Sequence, residues 1–393
     1  MTALAQSLVT AQPRQFAARA ANAIPVTREP VAPDQWDDIA GDFEGLCQEQ
    51  LMAFAGVRWP QTTHEPMVFR VGQRVVGGCL VIIQRLPLGL GAIAITKWGP
   101  MLAQTKGADA PGIYAGMVEA MIEEYSKKRG MMLSVLSCAP VGDQNTEYGY
   151  LMQRGFKPGV LLNYPLRYIV NLRLSDADQR KSLEQKWRYQ LGKAEKQGLS
   201  FEHGGAERLA EFTALYNSML ERKKFADYSA YETIPHLMAL KNGQARPELF
   251  FVRKDGEVIA GAIIFKGGER AVYLYGATQD KALPLRAGYF LHWHIIRWLR
   301  DNTRADWYDL GGTDGFLGLH QFKKGMVGSA GVISPVPRVA NYADRELAFL
   351  LGNSALWARE GLHEVLRRLN RLRKDRAQPT MPRFVESPTD ARL

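Results

Sequence analysis

Val75-Val76-Gly77-Gly78-Cys79-Leu80-Val81-Ile82 is answered 183 residues further on by Val258-Ile259-Ala260-Gly261-Ala262-Ile263-Ile264-Phe265. Both are strand-length, β-branched runs, and each follows a turn. Gly72-Gln73-Arg74 precedes the first, and Lys254-Asp255-Gly256-Glu257, with its Asp-Gly hairpin signal, precedes the second. The order downstream repeats too. The first copy continues with an apolar strand at 92–97, a helical stretch at 114–128 and a strand at 131–136. The second continues with a strand at 271–276, a helix from about 286 to 300 and a strand at 307–310. A hairpin, a helix and a strand in the same order predict a duplicated α/β domain.

The remaining chain is read around this repeat. Residues 1–25 form a tail, 26–170 the first domain and 171–340 the second. A basic C-terminal helix at 341–375 packs back on the first domain, and 376–393 is a second tail. Between the copies, Asp178–Gln197 reads as one basic helix, with Gly198 placed to end it. In the C-terminal helix, Leu362, Val365, Leu366, Leu369 and Leu372 make an apolar stripe beside Arg367, Arg368, Arg371, Arg373 and Lys374. Such a stripe suits docking on the protein body or lying on an anionic membrane.

At 393 residues the chain has room for two cores, and its 46% hydrophobic and 23% charged residues are ordinary globular values. No apolar run is long enough to span a bilayer, and 1–23 lacks the charged and apolar regions of a secretory signal. Cys47, Cys79 and Cys138 are odd in number and set among apolar residues, which predicts free thiols and a cytoplasmic protein. No Cys/His spacing suggests a metal. The net charge of +10 favours a phosphate-rich partner.

Three later segments carry the chemistry. They are Trp187-Arg188-Tyr189-Gln190-Leu191-Gly192-Lys193-Ala194-Glu195-Lys196-Gln197-Gly198, Trp307-Tyr308-Asp309-Leu310-Gly311-Gly312-Thr313-Asp314-Gly315, and Leu319-His320-Gln321-Phe322-Lys323-Lys324-Gly325. In this order, on a duplicated domain, they resemble the Fem family of tRNA-dependent peptidoglycan aminoacyltransferases, across about residues 65–330. The resemblance implies twin acetyltransferase-like (GNAT) domains, each a mixed central sheet flanked by helices. The short connections between Gly198 and Val258 imply no coiled-coil arm. It implies transfer of an amino acid from aminoacyl-tRNA to a stem-peptide amine of a UDP- or lipid-linked peptidoglycan precursor, with no cofactor. The expected protein is a cytoplasmic monomer, with a peripheral contact at the inner membrane face.

Lys323 matches the family's functional Phe-Lys position and is placed in a loop after the last core strand. A fixed cation there would stabilise an oxyanion or the leaving 3′-oxygen; a solvated surface lysine is the plainer reading. Arg222 resembles a family arginine that binds precursor phosphates, and it equally suits a surface ion pair. Arg188, Lys193 and Lys196 would track RNA phosphates or simply solvate a connector. Tyr275, Tyr308 and Phe322 are candidates for shaping the substrate cleft, against a role in the core. Asp309 either orients a group in the site or caps the Gly311-Gly312 turn, and His292 and His294 read as packing residues. The expected groove is positively charged, with Lys323 on its wall.

One departure concerns Gly99-Pro100-Met101-Leu102-Ala103, where Ala103 stands at the family's acid. Neither Ala110-Pro111-Gly112-Ile113-Tyr114 nor Leu285-Arg286-Ala287-Gly288-Tyr289 completes a glycine-rich pyrophosphate turn. Two rival readings remain: an acyl-CoA-dependent N-acyltransferase acting on a polysaccharide or amino-sugar, and a non-enzymatic RNA-binding protein.

Overall fold

The computed structural model describes residues 22–361 except 139–140, 142–144, 162–165, 224–229, 314–315 and 360. The first copy runs β1 (Thr27–Pro30), α1 (Pro33–Ala40), α2 (Met52–Arg58), β2 (Thr63–Val71), β3 (Arg74–Arg85), β4 (Ala92–Lys97) and β5 (Met101–Leu102). It continues through α3 (Ala110–Met121), a π-helical extension at Ile122–Lys128, β6 (Met132–Leu136), α4 (Thr146–Gln153), β7 (Lys157–Pro158) and β8 (Leu166–Asn171). Two connecting helices follow, α5 (Asp176–Ser182) and α6 (Gln185–Ala194). The second copy is β9 (Ser200–Gly204), α7 (Leu209–Lys223), α8 (Ile234–Met238), β10 (Glu248–Lys254), β11 (Glu257–Phe265) and β12 (Arg270–Thr278). It ends with α9 (Ala287–Asn302), β13 (Trp307–Asp309), α10 (Leu317–Val327), β14 (Val332–Pro335) and β15 (Ala340–Tyr342).

The duplication is complete, and the copies trade a strand. The first sheet has the order β1-β2-β3-β4-β6-β15-β7, with β5 on β3, and the second β9-β10-β11-β12-β13-β8-β14. In each sheet a parallel pair, β4 with β6 or β12 with β13, is followed by an antiparallel strand from the other copy. β8 therefore lies wholly in the second sheet, and a division at 170 would cut it. The expected helix over 178–197 is two helices, broken at Leu183 and Glu184, whose backbones are non-helical. Gly198 follows with φ +63.

Both sheets are mixed and covered on two sides. The outer face of the first carries α3, its π extension and α4, around Tyr114, Met117, Met121 and Tyr125. The outer face of the second carries α6, α9 and α10, around Trp187, Trp293, Ile296 and Met326. Between the sheets, α1, α2, α7 and α8 form one shared core that joins Leu80 and Met101 to Phe251 and Ile263. This layer explains the glycine in the repeated motif. A Cβ on Gly78 would lie 2.7 Å from the Trp36 ring of α1, and one on Gly261 3.1 Å from the Phe212 ring of α7. In both copies an inner-layer aromatic ring occupies the space a side chain would need.

The start of the chain differs from expectation. Asn22 and Ile24, assigned to a tail, lie on α3: Ile24 N–H donates to Gly112 O at 2.9 Å, and Cβ atoms on Gly112 and Gly116 would collide with this segment. After β15, residues 346–359 are helical and cross the first sheet, with Gly352 packed against Met132. The basic stripe at 362–374 and both outer tails, 1–21 and 376–393, lie outside the described residues.

Candidate active site

Two features flank the C-terminal ends of the parallel strand pairs. In the second sheet, β12 pairs with β13 only from Arg270 to Val272; β12 then runs on to Thr278 while β13 ends at Asp309. Lys323 occupies the split. It lies not in a loop but on α10, is buried, and donates from Nζ to Leu310 O and Gly312 O, both at 2.5 Å. Aromatic rings surround it. Nζ lies 5.9 Å from the Tyr273 ring centroid, and His292 contacts the Tyr273, Tyr308 and Phe322 rings. Tyr308 is fully buried, with its hydroxyl 3.1 Å from His292 Nδ1. Burial, reinforced by the Lys323 charge, lowers the His292 pKa to about 3, so this imidazole is neutral. His320 Nδ1 meets the Tyr168 hydroxyl at 2.5 Å.

The second feature is a cleft of about 840 Å³ between the copies. Trp98, Leu136, Cys138 and Tyr114 form its first-copy wall, and Val272 closes it from the second. Six carboxylates line it (Glu44, Glu49, Asp109, Glu147, Glu269 and Asp309) against three cations, Lys97, Arg167 and Arg270. The groove expected to be positive is thus mainly acidic, and Lys323 is not among its lining residues. A thin segment separates the two features. The Asp309 carboxylate belongs to the cleft wall, whereas the carbonyls of Leu310 and Gly312 hold Lys323.

Asp309 is 1% exposed and organises that segment. Arg167, on the traded strand β8, donates from Nε to both carboxylate oxygens at 3.1 and 3.0 Å, and Gly311 N–H donates to Oδ1 at 2.8 Å. The turn-capping role read from the sequence is therefore present. Arg270 lies 3.9 Å from the same carboxylate. Ala103 leaves no acid at its position, but Glu44 stands nearby, its carboxylate accepting from Thr105 N–H at 2.7 Å. Tyr114 carries a buried hydroxyl with no hydrogen-bond partner among the described residues. Burial and the Glu147 charge raise its pKa well above the usual phenol value. Burial also pushes the Cys47 thiol up to about 12 and raises Cys138 well beyond its ordinary value. Neither thiol supplies a thiolate nucleophile at neutral pH.

The candidates from sequence divide among several places. Lys323, Phe322 and Tyr308 come together around His292. Tyr275 faces the shared core, edge-on to Tyr216 and Tyr231. Arg222 bonds Thr278 O at 2.9 Å and Asp280 at 3.0 Å, at the far end of β12. Arg188 spans to the carbonyls of Lys181 and Leu183, tying α6 to the end of α5. Lys193 and Lys196 are exposed, Lys193 over the Tyr189 ring. Sequence reasoning missed Arg167 and Arg270. The available signal was a charge inside the apolar strand Leu166-Arg167-Tyr168-Ile169-Val170, where burial demands a partner.

Comparison with known proteins fits this architecture. Residues 177–324 match the family model described as an acetyltransferase (GNAT) domain, which supports an acyltransferase. The chain has a FemX-like GNAT fold. The crystal structure of FemX superposes with a TM-score of 0.68 at 15% identity, covering 83% of this chain and 99% of that one. More distant are L-PGS from Bacillus licheniformis (TM-score 0.43, 14% identity, 69% and 83% covered) and a tandem GNAT protein from the clavulanic acid pathway (0.40, 13%, 80% and 97%). No curated protein matches the chain.

Proposed function

We propose that the protein transfers an aminoacyl group from aminoacyl-tRNA to an amine on the stem peptide of a peptidoglycan precursor. The observation that carries this reading is the pairing of an acid-lined cleft with a buried cation just behind its wall. Carboxylates suit an acceptor that arrives as an ammonium and must lose a proton. The amine then attacks the ester carbonyl; a C–N bond forms, the C–O bond breaks, and the leaving 3′-oxygen takes up a proton. Lys323, fixed by two carbonyls, contributes preorganised positive charge where negative charge develops. Its neighbour His292 is neutral and does not compete as a second cation.

Features at the helix starts favour a tRNA ester over coenzyme A. Asp109 stands at the start of α3, where a pyrophosphate would need hydrogen-bond donors and positive potential, and the chain at 22–26 crosses that helix's glycines. At α9 the preceding Arg286 is left-handed, at φ +59, and no glycine-rich turn is present. The GNAT match keeps an acyl-CoA-dependent N-acyltransferase as the second reading.

The test is incubation of the purified chain with mixed aminoacyl-tRNAs and UDP-linked pentapeptide precursor, read by mass spectrometry. A product heavier by one amino-acid residue is expected. No product, together with a thermal shift on adding coenzyme A, would transfer the assignment to the second reading.

A further inference from the structure

The loop Leu86-Pro87-Leu88-Gly89-Leu90-Gly91 joins β3 to β4 and stands clear of the protein. Leu88 is 95% exposed and Leu90 50% exposed, and a Cβ on Gly89 or Gly91 would meet no atom within 4 Å. The loop is nonetheless ordered into one shape. Leu86 N–H donates to Gly91 O at 2.9 Å, and Leu90 N–H to Pro87 O at 3.2 Å. Leu88 has φ +57, a left-handed conformation that glycine or asparagine adopts at lower cost than leucine. The fold thus holds a large apolar side chain in water, in an unfavourable backbone conformation, with nothing packed on it.

Basic groups gather at the same end of the first sheet. The parallel register sets Ile93 beside Met132, which brings the loop next to Gly130 and the end of the π-helical extension. The Arg345 guanidinium lies against Gly130. Lys127 and Arg129 are paired with Glu123 and Glu65, but Arg85, Lys128 and Arg345 make no ion pair among the described residues. Leu347, just beyond Arg345, is 67% exposed and adds to the apolar surface.

We propose that this edge is a docking surface for an anionic phospholipid bilayer, with Leu88 and Leu90 entering the interface and Arg85, Lys128 and Arg345 meeting lipid phosphates. Apolar tips with flanking cations bind such surfaces through both terms together. No described helix is long and apolar enough to cross a membrane, so the contact is peripheral. The cleft lies at the opposite end of β4 and β6, about 20 Å away at the rise of an extended strand, and stays clear of the bilayer. This surface is independent of the aminoacyl-transfer reading.

Vesicle flotation of the full chain tests it, using vesicles of equal phosphatidylglycerol and phosphatidylcholine and others of phosphatidylcholine alone. The wild-type protein is expected to float with the anionic vesicles only, and less in high salt. Leu88→Asn with Leu90→Asn should weaken binding at least about tenfold, since asparagine keeps the left-handed turn while removing apolar surface. Arg85→Glu with Lys128→Glu should do the same. Thermal stability should not fall in either variant, since asparagine suits the left-handed Leu88 position and the other positions are exposed. Three results would each overturn the proposal: no flotation of the wild-type chain, unaltered flotation of the leucine variant, or a leucine variant that converts a dimer to a monomer in solution.

Discussion

Lys323→Met removes a buried ammonium while roughly preserving side-chain volume, and its consequences can be worked out separately for stability, titration and turnover. Leu310 O and Gly312 O lose their donor. A buried carbonyl left without a partner costs about 1–3 kcal/mol. The part-buried Gly312 carbonyl adds to this and relief from burying a charge offsets part of it, which leaves a net destabilisation of about 1–3 kcal/mol. His292 provides the second readout. Its folded pKa of about 3 lies below its unfolded value. Its contribution is therefore complete above about pH 6.5 and declines as pH falls toward 3, by up to about 1.4 kcal/mol per pH unit. Without the lysine charge the imidazole pKa rises, so the variant should lose less stability between pH 6.5 and pH 4 than the wild type. Turnover should fall by about 10²–10³, the usual cost of removing a preorganised transition-state charge. The assay is kcat and KM for aminoacyl transfer at a temperature where circular dichroism shows the variant folded, beside urea titrations at the two pH values. A folded variant that keeps kcat/KM within about fivefold of wild type would refute the catalytic role.

Other substitutions probe the frame. Gly78→Val should destabilise by about 2–3 kcal/mol in urea unfolding, because its Cβ would lie 2.8 Å from Met67 O as well as against Trp36; Gly261→Ala, with nearest approaches of 3.1 Å, should cost about 1 kcal/mol. Asp309→Asn should cost about 2–3 kcal/mol and weaken acceptor binding, since Arg167 loses its carboxylate partner; an unchanged urea midpoint would contradict the role given to that pair. Burial works to raise the Glu248 pKa, but hydrogen bonds from His203 and Lys266 outweigh it and hold it below the ordinary value. Its contribution is present above about pH 4.3 and is lost as pH falls through the lower folded value, so Glu248→Gln should flatten the acid limb of the stability curve. Residues 172–335 expressed alone lack β8, which leaves β13 and β14 without their common neighbour; this fragment should be insoluble, and a soluble folded monomer would show that the traded strand is dispensable.

Sequence alone determined the repeated unit. The two β-branched runs, their turns and the helix that follows each were legible because they follow from local periodicity and turn preference. The motifs set Phe322 beside Lys323 in the chain, but their meeting with Tyr308 around His292 came from the fold. Tertiary structure alone decided that each sheet takes a strand from the other copy, because which sheet β8 and β15 join is set by packing and not by local pattern. It also put Lys323 behind the cleft wall rather than on it and made the cleft acidic, by folding Glu44, Glu147, Glu269 and Asp309 together from distant parts of the chain. A strand's hydrophobicity is local, but which charges meet in a cavity depends on how the layers close, and a linear pattern carries no record of that.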